Sequence, residues 1–277
     1  MENLNVSKLE KSLGLKRHVI GVQFIYFKSE YEALDIPDYN KKTSFCMMVK
    51  AAMDGDVFKA SANNFGCKCA IEALGIEEEM ECVESGQRYF SIGLYESLAV
   101  AKAVTKMICR IKQHAFGVVL GPLENMDKAD VVIFMTNAYQ LMRIVQGYSY
   151  KFGTPQNITM AGNQGVCADL CAAPFEKNDM NFSVLCAGTR KMCKWGVEEM
   201  GVGVPIQMFA PLVDGVINTL NYIEYPEHKK EIRIRLDSPD ELGIVIDDNL
   251  HYGKMGKEYV RPSEYDKLKY GIKYVES

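Results

Sequence analysis

The sequence has a single tryptophan and only four histidines, and both shortages narrow the chemistry it can carry. His18, His114, His228 and His251 show no mutual spacing that suits a metal knuckle or a catalytic triad, so imidazole is not expected to lead. Long apolar runs are missing: no stretch approaches the roughly 20 residues that span a bilayer, which argues against a membrane protein. The opening residues, Met1 to Glu10, mix both charge signs where a secretion signal needs a basic start and an apolar run, so a cytoplasmic location is expected. Basic tracts are missing as well. With a net charge of -4 and no dense Lys/Arg segment interleaved with aromatics, the chain lacks the footprint of a nucleic-acid binder. Nor is there a phosphate-binding glycine loop, because Gly201-Val202-Gly203 is too short to form one.

What is plentiful is sulfur, with nine cysteines and fifteen methionines. A chain of 277 residues buries a core without needing a disulfide or metal staple. In a reducing compartment an odd number of cysteines reads as metal ligands, reactive thiols or small buried hydrophobes before it reads as disulfides. The methionines suit an anaerobic host, or plain core filling.

Hydrophobic patterning predicts an α/β fold: a mixed sheet with helices on both faces. Val19 to Phe27, Val57 to Ala60, Phe116 to Leu120, Val131 to Met135 and Asn181 to Leu185 read as strands, as do Gln87 to Leu94 and Asn157 to Ala161. Helices are expected over Leu4 to Leu15, after the Ser44 cap, over Cys67 to Leu74, around Val100 to Ile111, after the Asn137 cap, over Cys167 to Ala173, and after Pro205. From about Tyr225 the texture turns charged and tyrosine-rich. The chain therefore divides into an α/β cysteine domain, 1–224, and a C-terminal extension, 225–277, which is either surface-wrapping coil or an arm for a homo-oligomer.

Four cysteines fall in a repeated layout. Cys46 lies in a helix that leads through a short strand to Cys67 at a junction, and Cys167 lies in a helix that leads through a short strand to Cys186. The intervals are 21 and 19 residues, which suggests two pseudo-repeated halves whose cysteine pairs face each other across a cleft. Helix starts favour thiolates electrostatically, and Gly66, Gly165 and Gly188 leave room for a bulky group beside them. The pairs lack the compact C-x-x-C knuckles of common zinc sites and the cysteine run of small ferredoxins. Thiolate softness alone leaves zinc, copper(I) and iron-sulfur open.

Phe45-Cys46-Met47-Met48-Val49-Lys50, Gly66-Cys67, Val166-Cys167-Ala168-Asp169 with Pro174, and Leu185-Cys186-Ala187-Gly188-Thr189-Arg190 resemble the landmarks of the archaeal conserved region family, domain of unknown function 169. Gly121-Pro122-Leu123-Glu124, Asp130-Val131-Val132 and Met200 to Pro205 are similar to its pattern too, so the resemblance covers roughly Leu4 to Leu220. It implies that Cys46, Cys67, Cys167 and Cys186 are the site cysteines, in a family found largely in archaea and anaerobic bacteria. Lys68-Cys69-Ala70 departs from the family's small Gly-rich stretch, which makes Cys69 an alternate or extra ligand.

The resulting expectation is a 4Fe-4S cluster held by Cys46, Cys67, Cys167 and Cys186, in an enzyme of anaerobic metabolism that performs redox or sulfur chemistry on a small molecule. An oxidoreductase, a lyase and a sulfur-transfer enzyme all fit, and the partner is a small-molecule substrate or an electron-transfer protein. The alternatives are a metal- or redox-sensing module, a zinc-stabilised scaffold and metal-free thiols. Arg190, four residues after Cys186, is expected to hold a substrate carboxylate or balance an anionic cluster, or else to form a surface salt bridge. Asp169, beside Cys167, is expected to relay protons or to serve as an ordinary helix-start carboxylate. Cys82, Cys109 and Cys193 read as packing; Cys171, one turn beyond Cys167, could line the site.

Overall fold

A computed structural model describes residues 2–77, 81–237 and 242–254. Helix α1 (Glu2–Leu13) leads into strand β1 (Ile20–Ile25), followed by α2 (Lys28–Ala33), α3 (Phe45–Met53) and β2 (Phe58–Ser61). Short helices α4 (Lys68–Ala73), α5 (Glu81–Glu84) and α6 (Gln87–Ser91) precede α7 (Leu98–Met107), β3 (Gly117–Pro122), β4 (Val131–Thr136) and α8 (Ala138–Phe152). A π-helix, Gly165–Ala172, runs directly into α9 (Ala173–Lys177), and then come β5 (Asn181–Ser183), α10 (Ala187–Cys193), β6 (Met200–Pro205), α11 (Ile206–Ile223) and α12 (Pro226–Leu236).

The strands form one sheet in the order β2-β3-β1-β4-β6-β5. Every pairing is antiparallel. The order is symmetric about the central β1·β4 pair, where Gly21 stands opposite Val132. In each half the first strand is central, the third lies beside it, and the second is at the edge. The pseudo-repeat read from the cysteine layout is thus matched strand by strand. A two-fold perpendicular to a sheet keeps each face on its own side, so helices that correspond in the two halves meet on the same face.

Alternating residues serve two cores, as the two-residue period of a strand requires. Val131, Ile133 and Met135 of β4 point to the face covered by α3, α4 and the π-helix, while Val132 and Phe134 point to α1, α8 and α11. The caps form as read: Ser44 Oγ accepts from the Met47 N–H, and Asn137 and Gln140 make a reciprocal capping box.

Three expected elements differ. Gln87 to Leu94 holds a short helix, α6, opened by Gly86 at φ +78°, and the local alternation there reflects only Tyr89 turning inward. Asn157 to Ala161 forms no strand. Cys109 lies past the end of α7, which stops at Met107. Within the expected 225–277 extension, α12 packs on α1 and α11, with Leu220, Ile232, Leu236 and Ile244 forming a small core of their own. Residues 255–277 of that extension lie outside the described residues. No helix among the described residues is long and apolar enough to cross a membrane.

Candidate functional site

Helix α3 packs against both the π-helix and α10, which brings the two cysteine segments together on one face of the sheet. Their close approach depends on glycine. A Cβ on Gly203 of β6 would overlap the Leu170 carbonyl, and one on Gly201 would overlap the Leu170 side chain, so the bare strand lets the π-helix lie directly on the sheet. Gly165 likewise sits against the Leu185 backbone, which fixes the start of the π-helix beside Cys186.

All nine cysteines lie within the described residues and are free thiols. Cys46 is in the first turn of α3, Cys67 is the N-cap of α4, and Cys186 is the N-cap of α10; each is half-buried. Cys167 is buried in the π-helix, its Sγ 3.7 Å from the Gln164 carbonyl. Burial pushes the Cys167 thiol far up, and the charges of Cys46, Cys186, Cys69 and Asp169 push it the same way. Cys67 also feels Cys167. Thiols from both halves of the chain therefore lie within electrostatic reach of one another around Cys167.

Two further cysteines join them. The Cys193 thiol hydrogen-bonds Cys46, which lowers Cys46 to about 6 despite its burial, with help from Ser44 and Thr189. Cys193 rises in return, and its sulfur is 3.6 Å from Met47 Sδ. On the other side Cys67 hydrogen-bonds Cys69 and lowers it to about 6, with Tyr89 and Arg88 acting in the same direction, while Cys67 itself is raised. Each pair behaves as one coupled acid that releases its first proton early and holds the second tightly. The low-pKa member of the second pair is Cys69, the residue that departs from the family pattern.

Cys193 is buried in the core, as expected of a packing residue, and also stands at the edge of the thiol group. Its spacing from Cys186 held the clue: seven residues is two helical turns, which returns a side chain to the same face. Tyr89 was missed because its segment was read as a strand. Its hydroxyl accepts from Gln164 Nε2 at 2.7 Å, linking α6 to the π-helix beside the thiols. Cys82 is exposed and Cys171 is fully buried under the sheet.

Asp169 is buried and accepts a 2.7 Å hydrogen bond from Ser183 Oγ of β5. Burial raises it to about 7, against the opposing pull of Ser183 and Lys177. Arg190 lies in the middle of α10, and its guanidinium is fully engaged with the main chain around it. It donates to the Val184 carbonyl at 2.9 Å, the Gly196 carbonyl at 2.8 Å and the Glu199 carbonyl at 2.8 Å. The guanidinium thus staples three main-chain segments around α10, a use beyond the carboxylate, cluster-charge and salt-bridge roles expected from its position.

The donor set is soft and rich in sulfur, as an iron-sulfur or zinc centre requires. Among the described residues, however, no three His, Cys, Asp or Glu side chains gather closely enough to hold a single metal ion.

The chain belongs to the uncharacterised ArCR family, DUF169, whose model matches residues 8–215. It is 25% identical over 219 residues to an uncharacterized protein of Methanocaldococcus jannaschii, a match covering 76% of this chain and 92% of the relative. No solved structure matches the chain.

Proposed function

We propose that the protein carries a 4Fe-4S cluster between its two cysteine segments, held by Cys46, Cys67, Cys167 and Cys186, and works in anaerobic redox or sulfur chemistry on a small molecule. The observation that supports this is the setting of Cys167: a thiol from its own half, Cys186, and thiols from the other half, Cys46 and Cys69, all act on it. A polynuclear centre binds each thiolate to a different iron, so its ligands stand farther apart than those of a single ion. The lack of a tight three-donor group therefore weighs against zinc more than against a cluster. When bound, such a cluster supplies one-electron transfer.

The chain's own residues set the conditions. The Cys46 thiol donates to Ser44 Oγ at 3.4 Å, and the Thr189 hydroxyl donates to the Cys193 sulfur at 3.6 Å. Buried Cys167 must give up its proton to become a ligand, so loading should be faster at higher pH. Arg190 holds the α10 loop in place, which positions Cys186 at the helix N-terminus.

Anaerobic purification followed by iron, zinc and acid-labile sulfide analysis tests the reading. About four irons and four sulfides per chain, with a visible absorbance that dithionite bleaches, are expected on the cluster stoichiometry. A chain that takes up no iron and sulfide on anaerobic reconstitution overturns it.

A second reading, a thiol-based redox sensor, is favoured by the pairing of Cys46 with Cys193 and of Cys67 with Cys69. Mild oxidation of the iron-free chain followed by peptide mapping separates the two. A Cys46–Cys193 disulfide that forms reversibly in an iron-free native protein supports the sensor.

A further inference from the structure

The π-helix has a second side. Residues two apart on a helix point in nearly opposite directions, so Cys167 faces the thiols while Asp169 faces away from them. The side chain of Asp169 reaches the floor of a separate cleft of about 730 Å³, which lies between α7 and residues 158–161. Its walls are apolar, with Met107, Ile108 and Ile158 prominent, and its polar groups are few, chiefly Asp169 and Tyr95. That size and that mixture of apolar walls and sparse polar groups are typical of small-molecule sites.

The polar end carries an unmet demand. The Tyr95 hydroxyl accepts a 2.6 Å hydrogen bond from Asn163 Nδ2, which leaves its own proton free to be donated. Asn163 is only 4% exposed, and its Oδ1 has no hydrogen-bond partner. Lys177 is tied to the Asn157 carbonyl at 3.2 Å and Thr159 Oγ1 at 2.8 Å, and no lysine or arginine among the described residues lines the cleft.

We propose that this cleft binds an uncharged, largely apolar small molecule bearing one N–H or O–H donor, whose polar end meets Asp169 and the Tyr95 hydroxyl, which Asn163 holds in place from behind. The acidic floor and apolar walls disfavour an anion of the same shape. The π-helix stands between this ligand and the thiols, so the ligand is not itself coordinated by them. The inference does not depend on what the cysteines hold.

The test is a fluorescence titration of the full-length protein with 1-N-phenylnaphthylamine, an uncharged apolar amine with one N–H, alongside its sulfonated analogue 8-anilinonaphthalene-1-sulfonate. Saturable binding at one probe per chain is expected, with the sulfonated analogue about tenfold weaker or worse, about 1.4 kcal/mol. Ala103→Trp and Met160→Trp, both at exposed positions on the cleft wall, should each weaken the amine about tenfold or more. Tyr95→Phe should weaken it less while leaving circular dichroism unchanged. The remote surface variant Ile234→Ser should leave it unaltered. Non-saturating fluorescence, equal affinity for the sulfonated probe, or undiminished binding in both tryptophan variants overturns the proposal.

Discussion

Trp195 donates its indole N–H to Thr189 Oγ1 at 2.9 Å, and that same hydroxyl hydrogen-bonds the sulfur of Cys193 at 3.6 Å. The chain's lone tryptophan is therefore wired to one edge of the thiol group. Its emission should be strongly quenched when the site is loaded anaerobically with iron and sulfide, and should recover on chelation. Trp195→Phe should abolish the signal while leaving the iron content unchanged. Steady emission through loading would place the bound metal elsewhere.

The cysteines should divide into three groups under serine substitution. Cys46, Cys167 and Cys186 variants should each lose most of the bound iron, and Cys82 or Cys171 variants should retain it. Cys69→Ser and Cys193→Ser should keep iron but change the midpoint potential, because hydrogen bonds to cluster thiolates tune it. Full iron retention in both the Cys46 and Cys186 variants would end the cluster assignment.

Arg190 offers a clean separation of roles. Arg190→Ala deletes donors to three carbonyls and should lower stability by about 2–3 kcal/mol in urea unfolding. A staple predicts partial rescue by Arg190→Lys. A residue serving only charge would show full rescue of potential and no loss of stability in either variant.

Glu199 carries a pH signature. Burial pushes its carboxyl up, but hydrogen bonds from Arg17 and the Gly196 N–H prevail and hold it below the usual glutamate range. The two Arg17 bonds are 2.7 Å and 3.2 Å long, and the guanidinium also covers the Trp195 ring, 4.8 Å from its centre. A depressed carboxyl stabilises the fold fully above its unfolded pKa, and that contribution is lost as pH falls through the folded one. Thermal melts should therefore show an acid-side decline, of about 1–2 kcal/mol, that Glu199→Gln removes.

Arg143 and Glu224 form a buried ion pair at 2.6 Å, with Tyr139 closing the second carboxylate oxygen at 2.6 Å. Removing one partner strands the other charge, so Glu224→Ala should cost about 3–5 kcal/mol by chemical unfolding. Replacing both with well-packed apolar residues should cost much less. The pair ties α8 to the end of α11, just before α12 begins, so Glu224→Ala should also raise proteolytic cleavage within 226–254.

Much of this was legible because its causes are local. Ser44 and Asn137 announce helix starts through hydroxyl and amide chemistry that acts within four residues, and continuous apolar strands such as Val131 to Met135 announce a sheet covered on both sides. Strand β6 was not read as a strand, since Gly201 and Gly203 are poor strand formers on their own. They make sense only against Leu170, thirty-odd residues away, which needs the space. The antiparallel direction of the strands was equally silent, because alternation along one strand carries no information about its neighbour's direction. That the two cysteine segments face each other could be expected from their layout, but the partnership of Cys193 with Cys46 arises from the contact of α10 with α3, a tertiary fact.

The strand order has one more consequence. Two three-stranded units joined through one antiparallel pair, with matching helices on the same face, have the geometry of a closed isologous dimer written into a single polypeptide. In such a dimer corresponding residues approach one another across the axis, and Cys46 and Cys167, which correspond in the two halves, lie within electrostatic reach. Once both copies lie on one chain they are free to diverge, and they have: one half continues into α4, with Cys69 close behind Cys67, and the other into α10, with Cys193 two turns past Cys186. The cysteine face therefore has two unlike sides, so a centre held there, on the reading proposed above, would give an electron moving through it a direction that a symmetric pair would not supply.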